Sequence, residues 1–204
     1  EMGEVTFAVG SGEYEFSVSK RNYICEDGAE KFKGEITVEE DLVEVEEIKL
    51  KEFIIQEAID NAQSGAEIIV PPGTYFENIN FNGKNIKLIS SNPSEPRQTV
   101  IDGQAAERVV QFVNGERKEA QLEGFTIRNG NGEYGGGILI GDHSSPTIVG
   151  NIITDNKCEH NGAGITIAVS SSPLIKNNII RNNESQYIGG GIAIGENSFP
   201  QIEN

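Results

Sequence analysis

A repeat of 27 residues in the second half of this 204-residue chain constrains its fold more than any other feature. Pro146, Pro173 and Pro200 follow one another at this interval, and each lies beside short apolar runs. Such a unit is too small to bury its own apolar residues, so neighbouring units must stack and share one core. This half is therefore predicted to be a stack of repeats, with turns supplied by many of the 24 glycines.

The apolar runs in each repeat are three to five residues long, which favours short β-strands. If each repeat forms one coil, equivalent strands pair in parallel about 4.8 Å apart, and crossovers between parallel strands are right-handed by default. The predicted fold is an all-β, right-handed parallel β-helix in which equivalent residues form columns. The predicted columns are Ile138, Ile165 and Ile192, then Ile140, Ile167 and Ile194 in the interior, and Asn129, Asn156 and Asn183 at a bend.

The sequence predicts two regions, a small β-rich one at 1–48 and the β-helix at 49–204. In the first region, alternating apolar residues predict a hairpin between 5–9 and 14–18. At 51–62, apolar residues recur every three or four positions, so a short amphipathic helix is expected to cap the first coil. Further short strands are predicted at 23–25, 35–38 and 42–45.

The charge balance excludes two classes of partner. With 32 Asp and Glu against 16 Lys and Arg, the net charge of −16 repels nucleic acid phosphates and anionic membrane surfaces. No apolar run approaches the roughly 20 residues of a bilayer span, so membrane insertion is not expected. Cys25 and Cys158 lie far apart without the spacing of a zinc site, so neither a zinc site nor a disulfide framework is predicted.

The last residues of the chain, 201–204, match 174–177 and so begin another coil. An open coil exposes unpaired strand edges and core residues. We therefore expect either that the native polypeptide continues or that another molecule covers this coil. End-to-end self-association through the uncapped coil is one such arrangement.

Several segments resemble a known superfamily. The sequences at 55–59 and 68–75, with the Ser-Ser-Pro turns at 144–146 and 171–173, resemble the pectate-lyase-like superfamily of right-handed parallel β-helix proteins. The resemblance covers about residues 50–204 and implies the fold and an extracellular or cell-surface location. It does not imply one activity, because the superfamily contains polysaccharide lyases, polygalacturonases, epimerases, phage tailspikes and non-catalytic surface proteins.

The lyases of that superfamily combine Arg or Lys with calcium held by Asp and Glu. These groups remove the proton beside a uronate carboxylate and neutralise the charge that develops. On this basis the candidate catalytic residues are Arg128, Asp155 and Arg181, which are expected to face outward near one bend. The repeat alignment places Arg128 and Asp155 in one column. A scattered set of solvated surface charges is the alternative interpretation.

Asp142 and Glu196 share a predicted column, with Val169 between them, and are candidate ligands of a calcium ion. Two unrelated exposed acids are the alternative. Hydrolysis in the polygalacturonase manner requires clustered Asp carboxylates, and no two Asp of the repeats share a predicted column. Sugar-binding surfaces often carry aromatic rings; Tyr134 and Tyr187 are present in the repeats, but the alignment predicts no aromatic column.

These observations support two functions of different classes. The favoured one is a non-catalytic extracellular or cell-surface scaffold whose outer strands contact polysaccharide. The alternative is a polysaccharide lyase, or a related uronate-acting enzyme, whose site lies partly outside this chain. Columns of structural residues favour the scaffold, whereas a lyase needs cationic and acidic side chains gathered on one outer face. Apart from the calcium ion, no cofactor is predicted.

Overall fold

The computed structural model describes the backbone of residues 12–18, 23–25, 32–38 and 50–203, and the side chains of 52–203. The chain divides into two compact units, Glu1–Glu52 and Phe53–Asn204. Among the described residues, no helix is both long enough and apolar enough to cross a membrane.

The first unit contains four described strands in two antiparallel pairs. The strands predicted at 23–25 and 35–38 are confirmed, and so is that at 14–18. The expected partners 5–9 and the strand 42–45 lie outside the described residues. The observed pairs are Gly12–Val18 with Phe32–Val38, and Tyr23–Cys25 with Leu50–Glu52.

The second unit is a solenoid of three parallel sheets, A, B and C, which the chain visits in that order in each coil. Sheet A consists of Glu67–Val70, Lys87–Ser90, Gln121–Glu123, Thr147–Val149, Leu174–Lys176 and Gln201–Glu203. Sheet B consists of Gly73–Tyr75, Thr99–Asp102, Thr126–Arg128, Ile152–Thr154 and Ile179–Arg181. Sheet C consists of Ile79–Asn80, Val110–Phe112, Ile138–Ile140, Ile165–Ile167 and Ile192–Ile194.

A smaller sheet D lies in the turn between sheets B and C of the last coils. It consists of Asn131–Gly132, Lys157–Cys158 and Glu184–Ser185. All strand pairs in sheets A to D are parallel. The predicted parallel β-helix is therefore confirmed.

One helix, α1 (Ile55–Asn61), precedes the coils and is shorter at both ends than predicted. Its inner face buries Ile55 and Ile59 in the core. The Gln56 side chain donates to the Asn80 carbonyl (3.1 Å) and accepts from the Asn80 amide (2.8 Å). Because it satisfies the edge of the first strand of sheet C in this way, α1 caps the first coil as predicted.

The start of α1 is held by a carboxylate from the first coil. Glu77 Oε1 accepts from the Ile55 amide and Glu77 Oε2 from the Gln56 amide, at 2.8 Å each. Amides in the first turn have no partner within a helix, and the positive end of the helix dipole favours an acidic group there. Glu77 therefore joins the cap to the coil that it covers.

Isoleucine columns fill the interior as predicted. Their strands pair in the expected register, and the central members have no exposed surface because they lie between two further coils. The observed columns are Ile138, Ile165 and Ile192, then Ile140, Ile167 and Ile194, and in sheet A Ile148, Ile175 and Ile202.

The predicted register of the bend after sheet B is wrong by one residue. Sheet B pairs Arg128 with Thr154 and Thr154 with Arg181, so the first of these intervals is 26 residues rather than 27. The difference arises in the turn before sheet C, which has five residues between Gly132 and Ile138 and one more in the next coil. The 27-residue interval of the Gly-rich turns therefore does not extend backward to this bend.

The asparagine column consequently contains Gly130, Asn156 and Asn183. Asn156 Oδ1 accepts from the Gly130 amide (2.9 Å), and Asn183 Oδ1 accepts from the Asn156 amide (3.1 Å) and from Asn156 Nδ2 (3.0 Å). Asn156 has no exposed surface, so its side chain acts as a buried link between three coils. The predicted place of Asn129 in this column is therefore wrong.

Candidate functional site

The outer face of sheet B carries the two candidate arginines in one column. The register places Asp102, Arg128, Thr154 and Arg181 one above another. Arg128 and Arg181 are thus separated by two coil spacings, about 9.6 Å, with the buried Thr154 between their positions. They share a face of the solenoid but do not occupy neighbouring coils.

Arg128 forms an ion pair with the preceding coil. Its Nε lies 2.8 Å from Asp102 Oδ2. The buried Asp102 carboxylate also accepts from Asn129 Nδ2 (2.9 Å) and from the Gln104 amide (3.0 Å). Charge-assisted hydrogen bonds of this kind fix a side chain strongly, so both Arg128 and Asp102 hold one coil to the next.

A loop covers part of sheet B beside this ion pair. It contains a single turn of 3-10 helix, Pro96–Gln98, whose Pro96 carbonyl accepts from Thr126 Oγ1 (3.0 Å). Pro93 of the same loop lies so close to Gly124 that any side chain at Gly124 would collide with it. The loop therefore occupies the surface that a polymer would need in order to lie across this part of the sheet.

Asp155 does not share a column with Arg128, which corrects the predicted alignment. It lies beyond the end of sheet B, where Asn129, Asp155 and Asn182 have positive φ angles of 54°, 57° and 53°. Asp and Asn tolerate this left-handed conformation better than most residues. Asp155 Oδ2 accepts from Thr154 Oγ1 (2.8 Å). The carboxylate thus belongs to a tight bend.

The candidate calcium ligands are exposed in the turn between sheets C and A. Asp142 has a positive φ angle of 50°, and both Asp142 and Glu196 lie on the surface with the exposed Val169 between their coils. Across the side chains of residues 52–203, no three His, Cys, Asp or Glu residues gather closely enough to hold a metal ion. Calcium at Asp142 and Glu196 stays a prediction.

The same turn contains a buried carboxylate that the sequence did not single out. Glu116 has no exposed surface and accepts from the Gly83 amide (2.8 Å), the Asn114 amide (3.0 Å) and Ser144 Oγ (2.8 Å). Three donors from three coils therefore satisfy one acid. Its signal in the sequence is its place at the coil position that the serines of the Ser-Ser-Pro turns occupy later.

A groove of about 630 Å³ runs along this turn and includes Lys118, His143, Ser145 and Ser172 in its lining. Its hydroxyl groups already serve the stack of coils. Ser145 Oγ accepts from the Ser172 amide (3.0 Å), and Ser172 Oγ accepts from the Phe199 amide (3.4 Å). The lining is thus a column of structural serines with a cation and an imidazole at its edge.

The turn between sheets B and C carries an aromatic column, contrary to prediction. The rings of Tyr134 and His160 have centroids 4.8 Å apart, and those of His160 and Tyr187 are 5.5 Å apart. We call these three residues the aromatic ladder. Tyr134 and Tyr187 are separated by one 26-residue and one 27-residue coil, which is the signal that a strict 27-residue alignment misses.

Cys158 lies beneath this turn and is buried, and the structure places it as a free thiol. Burial raises its pKa above the ordinary value, although hydrogen bonds from backbone groups of Gly135, His160 and Gly136 act in the opposite direction. The thiol is therefore protonated at neutral pH and is not a nucleophile of the surface above it.

Comparison with known proteins agrees with the geometry. The family model described as "Right handed beta helix region" matches residues 51–204, about three quarters of the chain. No curated protein and no solved structure matches the chain significantly. The matched range covers all the coils, including the helix that caps them. The chain therefore belongs to the right-handed beta-helix family.

Proposed function

We propose that this protein is a non-catalytic scaffold of an extracellular or cell-surface assembly, and that its coils present outer surfaces to polysaccharide. The observation that carries the proposal is the use made of the charged side chains on sheet B. Arg128 pairs with Asp102 in the preceding coil, and Asp155 accepts from its neighbour Thr154. Groups suited to proton abstraction are thus engaged in contacts that hold coils and bends.

The separation of the cationic groups supports the same proposal. Eliminative cleavage of a uronate needs a base and a charge-neutralising group on either side of one sugar. Arg128 and Arg181 are two coils apart, and the residue between them is the buried Thr154. Asp155 lies around the bend rather than in their column. This arrangement provides mechanical links and no convergent set of reacting groups.

The proposal is tested by a product screen. The protein is incubated with pectate, alginate, a glycosaminoglycan and neutral glucans, with and without calcium, and soluble oligosaccharides are analysed by mass spectrometry. The expected result is no oligosaccharide beyond those in heat-denatured controls. Release of oligosaccharides from any of these polymers would contradict a non-catalytic role and favour the lyase alternative.

The location is part of the proposal and has its own support in the resemblance of residues 50–204 to secreted β-helix proteins. It is tested on the native host with an antibody against the coils. Labelling of intact cells or recovery from the medium is expected. Labelling that requires permeabilised cells would contradict the extracellular assignment without bearing on catalysis.

A further inference from the structure

We propose that the aromatic ladder of Tyr134, His160 and Tyr187 binds a polysaccharide chain that carries no acidic groups. The proposal rests on the proposed function for the contact with polysaccharide, and it adds the place of contact and the chemical class of the sugar. The ladder is distinct from the arginine column of sheet B, because it lies in the turn that follows sheet D.

The ladder leaves aromatic surface in water. Tyr134 is 40 % exposed and Tyr187 is 71 % exposed, and the His160 side chain between them is 38 % exposed. The rings are tilted against one another by 35° and 38°, so neighbouring rings do not cover each other's faces completely. Aromatic faces gain free energy when apolar surface covers them, and the C–H faces of a pyranose offer such a surface.

The spacing of the ladder suits a polymer rather than a single sugar. Each coil contributes one ring, so rings recur at the coil spacing of about 4.8 Å along the solenoid axis. One pyranose unit in an extended, β-1,4-linked chain has nearly this length. A chain lying parallel to the axis therefore brings a new sugar beside each ring, and the contacts add along the ladder.

The charges around the ladder select against acidic polymers. Glu133 and Glu159 are exposed immediately before Tyr134 and His160 in their coils, and Glu133 Oε1 lies 3.6 Å from His160 Nε2. The whole chain has a net charge of −16. Uronate or sulfate groups would be repelled here, whereas uncharged and amino sugars would not.

The ladder is held in place before any ligand arrives. The His160 amide donates to the Glu133 carbonyl (2.9 Å), and the Tyr187 amide donates to the His160 carbonyl (3.3 Å). After His160, Thr166 Oγ1 of sheet C donates to the Asn161 carbonyl (2.7 Å) and so ties the turn to the sheet. A surface that is already ordered loses less entropy on binding.

The experiment is a titration of the full chain, followed by isothermal calorimetry, with cellohexaose, chitosan hexamer and hexagalacturonate. The variants are Tyr134→Ala and Tyr187→Ala, singly and together. Phe76→Ala is the matched control, because Phe76 is an aromatic residue of similar exposure, 62 %, outside the ladder. Urea unfolding of each variant verifies that the coils remain folded.

We expect cellohexaose or chitosan hexamer to bind more tightly than hexagalacturonate, and the double variant to bind at least about tenfold more weakly than the unmodified chain. The Phe76→Ala variant is expected to bind as the unmodified chain does. The proposal is overturned if neither non-acidic hexasaccharide binds, if the double variant binds as well as the unmodified chain, or if Phe76→Ala weakens binding equally. None of these outcomes would show catalysis, which the product screen detects separately.

Discussion

Glu116 is a residue on which three coils depend. Its carboxylate is fully buried and accepts from two backbone amides and from Ser144 Oγ. Removing it leaves those donors buried without a partner, which costs more than the hydrogen bonds themselves contribute. We expect Glu116→Ala to lower the free energy of unfolding in urea by about 3 kcal/mol.

The matched control for Glu116 is its exposed neighbour in the same turn, Glu119. Glu119→Ala should change the free energy of unfolding by no more than about 0.5 kcal/mol. Equal effects of the two substitutions would show that the buried carboxylate has no special structural role, and would contradict the contacts assigned to it.

Cys158 provides a prediction about pH. Because burial raises the pKa of its thiol, the folded state favours the protonated form. This contribution to stability is fully present below the ordinary pKa of 9.0 and is lost as the pH rises above it, since the unfolded chain then releases the proton first. Iodoacetamide should therefore modify Cys158 slowly at pH 8.

The rate is followed by mass spectrometry of the peptide that contains Cys158, so that Cys25 does not interfere. The same peptide should be modified rapidly once the chain is unfolded in urea. Equally fast modification in the folded chain would mean that the thiol is accessible and that its surroundings are not those described.

Among the elements, the turn before sheet C is the most sensitive to added volume. A methyl group at Gly137 would lie 2.5 Å from the Gly164 carbonyl oxygen of the next coil and 2.9 Å from Asn156 Nδ2. Backbone cannot move aside easily in a stack of coils, so Gly137→Ala should lower the free energy of unfolding by about 3 kcal/mol.

Gly141 allows a comparison with the same chemical change in the following turn. A methyl group there meets Val113 at 3.8 Å, which is an ordinary contact. Gly141→Ala should alter the free energy of unfolding by less than about 1 kcal/mol. If Gly137→Ala is tolerated as well as Gly141→Ala, the close approach of adjacent coils at this turn is incorrect.

At this scale the sequence predicts the solenoid well and its register less well. Strands, interior columns and the cap are predictable because Ile, Gly and Pro recur at a fixed interval. The column of Arg128 is not, because the turn before Ile138 is one residue shorter than its successors while the strongest motifs lie beyond it. The same shift hides the aromatic ladder, whose members do not recur every 27 residues.

The buried carboxylate of Glu116 escapes prediction for a different reason. An acid in a turn has a solvated surface as its ordinary environment. Only the fold brings the Gly83 amide and Ser144 Oγ from two other coils to the same point. Contacts between coils at variable intervals are a property of three-dimensional register rather than of local pattern.

For the whole molecule, the last coil is the exposed end of the core. Ile179–Arg181, Ile192–Ile194 and Gln201–Glu203 are the final strands of their sheets. Ile194 is 52 % exposed and Phe199 is 78 % exposed, unlike their buried or serine-lined counterparts in earlier coils. Unpaired strands beside exposed apolar side chains favour association.

We therefore expect the chain to self-associate as its concentration rises, and more strongly at high salt, because salt screens the repulsion between molecules of net charge −16. Sedimentation equilibrium measures this directly. Substituting Ile194 and Phe199 with Asp should reduce the association. A single monomeric mass at every concentration and salt level would contradict the prediction.

The assignment of these coils to scaffolding rather than chemistry is tested most directly by ultraviolet absorbance of unsaturated uronates. The folded chain is incubated with polygalacturonate and alginate, in calcium and in chelator. Because Arg128 is paired with Asp102 and Arg181 lies two coils away, absorbance should not rise above the buffer control. A calcium-dependent rise that Arg181→Ala abolishes would contradict the account and make the arginine column a catalytic site.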